Sequence, residues 1–473
     1  MADNLTPEAV VEALKPGFIE MSDRIWDMPE LRYQEARSAE EQITMLEAHD
    51  FTVTRDLAGI PTAFMGESGG EGPVIALLGE FDALAGLSQQ AGVAEKQPLE
   101  PGGNGHGCGH NLLGSAAMLA AVAARDWLAR QGIKARIRYY GCPAEEGGSG
   151  KTFMVRAGVF DDIDAALTWH PGSLNGVMPS RSLANIQAYF RFHGRASHAA
   201  ASPELGRSAF DALELMSIGV QYLREHMPSD ARIHHSVTNT GGISPNVIPD
   251  FAEGLYLIRS PELAEVHKLF ARVKKIAEGA ALMTETTMQV EVDKACSNLL
   301  ANRVLNELLQ SEMERLQHAG FDSDDHDFAA RIRETLSSDD VRAAYGMIGA
   351  DAPADPPLLA ETVIPLPAPD QLLPGSTDVG DVSWKAPLGQ IFAATHALGT
   401  PMHSWQLVAQ GKSPLAHRGM VFAAKAMAGA AAALARDPAL LAKAKAEFAA
   451  KIAQTPYVCP IAPEVDLPFR RGK

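Results

Sequence analysis

The chain has 473 residues, 46% of them hydrophobic and 21% charged, with a formal net charge of −17 at pH 7. That length is more than one small core needs, so two domains are expected. The negative balance argues against a nucleic-acid or anionic-membrane surface, and an anionic substrate would have to be met by a locally placed Arg or Lys.

At the N-terminus, Thr6-Pro7-Glu8 reads as N-cap, first helical proline and first-turn acid, with no basic stretch leading into an apolar one. A cytoplasmic protein is the expectation. Short apolar runs at residues 74–79, 137–141 and 165–169 read as buried parallel strands, separated by helix-like segments such as 111–131. Each run stops at chemistry: Glu80-Phe81-Asp82, Pro143-Ala144-Glu145-Glu146 and His170-Pro171. An α/β layered sheet with helices on both faces follows, and ligands of such sheets sit at the carboxyl ends of the strands.

From residue 183 the pattern becomes alternating (185–193), then gives a helix (206–225), two strands (233–240 and 251–259), a helix (261–281) and a strand (286–292). That βαββαβ order predicts a ferredoxin-like α+β module. Residues 183–297 therefore read as a domain inserted into a discontinuous catalytic domain of residues 1–182 and 298–473. An acidic, Pro-rich stretch (322–374) reads as a surface excursion in its middle, and an Ala/Gly/Met helix (419–435) should pack closely on the sheet. The apolar runs 112–124 and 421–434 fall short of a bilayer span, so no membrane segment is expected. Cys108, Cys142, Cys296 and Cys459 lie far apart, which suits reduced thiols.

Cys108 and His110 stand among glycines that let the backbone turn tightly and aim both side chains inward. Alone, that spacing more often marks a buried thiol and a helix-start histidine than a ligand pair. Adjacent carboxylates at Glu145 and Glu146 and a third strand-end group, His170, change the balance, because a thiolate, imidazoles and carboxylates are the donors of a divalent-metal pair. One glutamate would bind metal and the other, beside the attacking water, would move its proton. Asp82 suits a carboxylate that hydrogen-bonds a ligand imidazole. Glu80 is either another of that kind or a cap of the next loop.

The ordered motifs GEFDAL (79–84), GHGCGHN (105–111), PAEEGGSGK (143–151), TWHP (168–171), GRASHAA (194–200), SPNVIPD (244–250), GSTDVGDVSW (375–384) and LGTPMHSWQ (398–406) resemble metallopeptidase family 20, the aminoacylases and glutamate carboxypeptidases, in its Cys-Gly-His amidohydrolase branch. The resemblance runs from about residue 20 to 435 and implies a zinc-peptidase-like fold. It implies that Cys108 bridges two divalent ions, that His110 and His170 complete one, and that Glu146 with His403, preferred to His417, completes the other. Glu145 would be the general base. Zinc or manganese is expected, with cobalt or nickel also compatible. The inserted domain would form a dimer or lid. From it His198 would stabilise the oxyanion, and Asn246 with Arg259 would grip the substrate carboxylate, a role that suits a strand-end guanidinium. His106 stays outside the ligand set, and His226, His234, His235, His267 and His326 read as surface or interface histidines.

The resemblance thus implies hydrolysis of an N-acyl or N-aroyl amino acid bearing a free carboxylate, p-aminobenzoyl-glutamate foremost. An aminoacylase or dipeptidase would use the same machinery, and the chain would work as a homodimer or beside a related subunit. A catalytically silent subunit is disfavoured by the intact Glu145 and ligands. A structural zinc protein is disfavoured because closed sites hold no spare carboxylate beside the metal.

Overall fold

The computed structural model describes residues 5–317 and 319–470. They form two compact units. The first comprises residues up to Arg181 together with Leu300–Pro374 and Asp381–Val458, and the second comprises Ser182–Leu299, Gly375–Gly380 and the described residues from Cys459 on.

The first unit holds a seven-stranded sheet, in the order Thr52–Thr54, Phe64–Gly69, Arg136–Cys142, Val74–Glu80, Ala165–Gly172, Leu388–Ala394 and Gly176–Val177. Its central four strands are parallel; the flanking ones are antiparallel. Every residue of Val74–Glu80 is buried, which requires cover on both faces of the sheet and explains why the run does not alternate. Strand Ala165–Gly172 runs three residues beyond the predicted end because Leu388–Ala394, which the apolar pattern did not reveal, pairs with it as far as Gly172. His170 therefore lies inside the strand, opposite Phe392.

Helices His110–Arg130 and Pro414–Arg436 pack on this sheet, and their small residues are the reason they fit. A Cβ on Gly419 would stand 2.0 Å from the Ala394 carbonyl oxygen, and one on Gly114 would stand 2.7 Å from that of Glu80. The second helix starts five residues earlier than its predicted first residue, 419, since Ser413 caps it and Pro414 takes the first turn. By length and composition both helices could cross a bilayer, contrary to the expectation from their apolar runs. In each, 83% of the apolar window is buried inside the protein, as in a core helix.

The middle of the acidic stretch, residues 350–358, is exposed or half-buried without helix or strand, and structured segments flank it. Asp322 and Ser337 open helices Ser323–Arg333 and Ser338–Gly346 with reciprocal capping boxes. Beyond them Leu359 and Ala360 are buried, and the Ile364 N–H donates to the Asn175 carbonyl at 2.8 Å.

The second unit is built on a four-stranded antiparallel sheet ordered Thr287–Cys296, Ala184–His193, Phe251–Ser260, Arg232–Asn239, with helices Ala209–Leu223 and Leu263–Thr284. The element order is the βαββαβ read from the sequence. Its first helix begins at residue 209, later than the expected 206, because Ser208 is the cap. Residues 298–299, 375–380 and those from 459 on cluster here and not with the catalytic segments to which the sequence pattern assigned them. Leu183 donates its N–H to the Gly375 carbonyl at 2.8 Å, and a Cβ on Gly380 would stand 2.1 Å from the Ser297 oxygen. Contacts so distant in sequence leave no local signal.

Candidate metal centre

The parallel strands of the first unit deliver polar groups at their carboxyl ends. Val74–Glu80 leads to Asp82, Arg136–Cys142 to Glu145 and Glu146, and Ala165–Gly172 carries His170. Gly109, at a φ of 74°, turns the chain into helix His110–Arg130, and a side chain there would meet Pro171 at 3.0 Å. This turn presents Cys108 and His110 on either side of the helix start.

Asp82 organises the centre. Its Oδ1 accepts from His110 Nδ1 at 3.0 Å, and its Oδ2 accepts from the Glu146 N–H at 2.9 Å. The first bond fixes the ring so that Nε2 faces inward. His170 is oriented the same way: its Nδ1 donates to the Pro171 carbonyl at 2.8 Å, and its Nε2 lies 3.5 Å from Cys108 Sγ. His403 Nε2 lies 3.3 Å from Glu146 Oε2, whereas His417 Nε2 pairs with Asp23 at 2.8 Å. Of the two candidate late histidines, only His403 is in the cluster. Its backbone, at a φ of 58°, is in the left-handed region, which costs a non-glycine residue about 1–2 kcal/mol; its N–H is held by the Gly107 carbonyl at 2.9 Å.

Three sets of side chains could hold an ion: Cys108 with His110 and His170, Cys108 with Glu146 and His403, and Glu80 with His110 and Glu145. Within each set the donor atoms lie within 4.8 Å of one another. Among the described residues, His110 Nε2, Glu146 Oε1 and Glu80 Oε2 are buried without a hydrogen-bond partner. They face each other, with His110 Nε2 at 3.3 Å from Glu80 Oε2 and 4.0 Å from Glu146 Oε1. Stranding three polar atoms in a protein interior would cost roughly 1–3 kcal/mol each, and a cation among them offsets that. The donor set fits a divalent pair.

Electrostatics agree with a site built for positive charge. Burial, reinforced by the Glu146 charge, pushes the Cys108 thiol up. Burial also lifts the Glu146 carboxyl to about 8 and, helped by the Glu80 charge, raises that of Glu145. Burial drives His170 down to about 3, with the charge of His110 adding to it, so its ring is neutral and able to ligate. Burial opposes ionisation of Asp82 too, yet its hydrogen bond to His110 and that ring's charge hold it below the usual carboxylate range.

Sequence reasoning left Glu80 between two readings and did not note Lys151. Both are buried, and Lys151 Nζ reaches Glu80 Oε1 at 2.6 Å, so Glu80 faces the cluster and is not a loop cap. Only the Gly-Lys ending of the 143–151 motif hinted at the pair. His106 lies outside the three sets, its Nε2 being 3.1 Å from the Ile25 carbonyl.

In the second unit, His198 and Asn246 are on adjoining exposed loops, since the Ala199 N–H donates to the Asn246 carbonyl at 2.9 Å. His198 Nδ1 accepts from the N–H groups of Ala200 and Ala201 at 3.2 and 3.1 Å, which leaves the neutral ring's proton on Nε2. Arg259 is half-buried on strand Phe251–Ser260, paired with Asn185 and Arg232 on its neighbours. His226, His234, His235 and His267 are exposed, and His326, in the first unit, is half-buried beside Glu361.

A parallel sheet with a thiolate, imidazoles and paired glutamates at its strand ends is the architecture of one class of hydrolases: the chain belongs to peptidase family M20/M25/M40, whose profile matches residues 76–460. Over 460 residues, 95% of this chain and 96% of the other, it is 50% identical to the B subunit of p-aminobenzoyl-glutamate hydrolase from Escherichia coli K12. It is 32% identical to the Xaa-Arg dipeptidase of mouse over 301 residues, 60% of this chain and 65% of that one. Its fold resembles a dinuclear metal-binding peptidase of the M20 family from Bacillus subtilis, with a TM-score of 0.58 at 18% identity over 90% of this chain and 99% of that one.

Proposed function

We propose that this chain hydrolyses the amide bond of an N-acyl or N-aroyl amino acid, with p-aminobenzoyl-glutamate as the first substrate to test. The observation that carries the reading is the convergence of buried, unpartnered His110 Nε2, Glu146 Oε1 and Glu80 Oε2 beside Cys108 and Glu145. The relative in E. coli, similar over almost the full length of both chains, supports the choice of substrate.

Cys108, His110 and His170 would hold one divalent ion, and Cys108, Glu146 and His403 the other. Zinc, manganese, cobalt and nickel all suit these donors, and the thiolate favours the softer ones. Bound there, the ions would supply Lewis acidity to the amide carbonyl and acidify the attacking water. Glu145 takes the proton of that water and delivers it to the leaving amine, a task for which a carboxyl raised above its ordinary value by burial is suited. Asp82 keeps His110 and the Glu145-Glu146 turn in register. His198, with its proton on Nε2, has the tautomer an oxyanion donor needs. Arg259 and Asn246 are assigned to the substrate carboxylate. The E. coli relative is by name one of the subunits of its hydrolase, which supports assembly with a second, related chain. A homodimer is supported by exposed Ile218, Tyr222 and Leu282 on the second unit, apolar side chains that a partner would cover.

Glu145→Gln tests the reading. Turnover should fall by roughly 10²–10⁴-fold while metal content, measured by elemental analysis, stays at the wild-type value. Undiminished turnover would remove Glu145 from the mechanism.

A further inference from the structure

The turn that carries Glu145 and Glu146 starts at Ala144, whose φ of 60° and ψ of 36° are left-handed. Nothing in an alanine side chain favours that conformation, so something else must hold it. The Glu35 side chain does so from a distant part of the chain. It is fully buried, and its Oε1 accepts from the Ala144 N–H at 2.9 Å while Oε2 accepts from the Thr62 hydroxyl at 3.1 Å. Asp82 holds the Glu146 N–H from the other side. The two backbone donors that flank Glu145 are thus each gripped by a buried carboxylate.

The same N-terminal segment also reaches the far end of the turn. Arg32 Nη1 donates to the Gly147 carbonyl, and the Tyr33 hydroxyl donates to the Gly148 carbonyl at 2.6 Å. A Cβ on Gly148 would stand 2.5 Å from Tyr33 Cε2, so the glycine gives the ring its approach. Burial, with the Asp82 charge adding, raises the Glu35 carboxyl to about 8. A protonated Glu35 still offers Ala144 a carbonyl oxygen.

We propose that Glu35, seconded by Arg32 and Tyr33, is a positioning residue that clamps the 144–148 turn and so aims the Glu145 carboxylate. The inference rests on Glu145 being the general base; the clamp itself is a separate claim about the backbone. Misplacing a reacting group by about 1 Å costs up to ~100-fold in rate, and this is the scale on which the clamp acts.

The test compares metal-loaded full-length wild type, Glu35→Ala, Glu35→Gln, Glu35→Ala combined with Ala144→Gly, and Glu145→Gln. Glu35→Ala should lower kcat on p-aminobenzoyl-glutamate by ~10–100-fold with KM within about threefold and bound metal unchanged. Glu35→Gln should keep most of the rate, because its amide oxygen also accepts from Ala144. Glycine at 144 should restore part of the loss, because it adopts the left-handed turn without strain; a residue that merely fills the core would not respond to it. Hydrogen–deuterium exchange gives a readout independent of turnover: residues 143–149 should exchange faster in Glu35→Ala while the sheet strands do not. Wild-type kcat together with unaltered exchange at 143–149 would overturn the clamp. So would loss of metal and chain-wide exchange that neither Glu35→Gln nor Ala144→Gly reverses. If Glu145→Gln turns over normally, the base assignment fails, while the exchange result still decides the clamp.

Discussion

Most of the candidate residues of the two units are in different settings, the exposed His403 of the first and the strand-borne Arg259 of the second excepted. In the first, Cys108, His110 and Asp82 are buried, and the inward-facing atoms of His110 and Glu146 are fixed by bonds made behind them. In the second, His198 and Asn246 are exposed and on loops. The contrast is one of constraint. Atoms that must meet a reacting bond within a fraction of an ångström are held by strands and over-determined hydrogen bonds. Loops leave His198 and Asn246 less tightly held, whereas Arg259 of the same unit is half-buried on strand Phe251–Ser260.

That contrast is broken most sharply at the cluster. His403→Ala should remove one of two bound ions and lower turnover by more than ~10³-fold, whereas His417→Ala, which disturbs a pair with Asp23, should retain both. Metal analysis of the two variants decides it, and loss of an ion from the second variant alone would reverse the assignment. A smaller and different effect is expected in the second unit. Arg259→Ala should raise KM by about 10- to 100-fold for substrates with a free carboxylate, the scale of 1.5–3 kcal/mol for a charged hydrogen bond. Esterified substrates should be nearly indifferent, and an equal loss on them would contradict the role.

The mildest effect concerns stability. His396 is buried, which drives its pKa from the ordinary 6.5 to about 3. Between those values the unfolded chain binds a proton that the folded chain refuses, so stability is present above pH 6.5 and is lost as pH falls toward 3, by up to about 1.4 kcal/mol per unit. Replacing His396 with Asn should therefore narrow the difference in Tm between pH 7 and pH 5. An unchanged difference would assign the acid sensitivity to other groups.

Much of the first unit was legible because its central strands are apolar on both faces and stop abruptly at charged residues. The runs 74–79 and 137–141 lie within the observed Val74–Glu80 and Arg136–Cys142. Strand Leu388–Ala394 was not legible: its partner is more than two hundred residues earlier, and flanking small residues blur it into the helix-rich C-terminal part. The same distance hid the supports of the centre. Glu80 was left between two readings, and Lys151, Glu35 and Ala144 read individually as an ordinary base, acid and small residue; only the fold shows that Lys151 pairs with Glu80 and Glu35 with Ala144. Asp82 was readable because the hydrogen-bonding needs of a ligand imidazole called for a carboxylate one strand over.

The bond from the His403 N–H to the Gly107 carbonyl carries a last consequence. It joins the two ends of the candidate metal-binding set through main-chain atoms alone, so it does not depend on which side chains the two residues carry. The side chain at 403 takes no part in it, so of all residues at that position only proline would delete the donor, whereas a side chain on Gly107 would stand 2.5 Å from Leu87 Cδ1 and 3.4 Å from His403 Cα. The registration of His403 against the Cys-Gly-His turn is thereby independent of its imidazole.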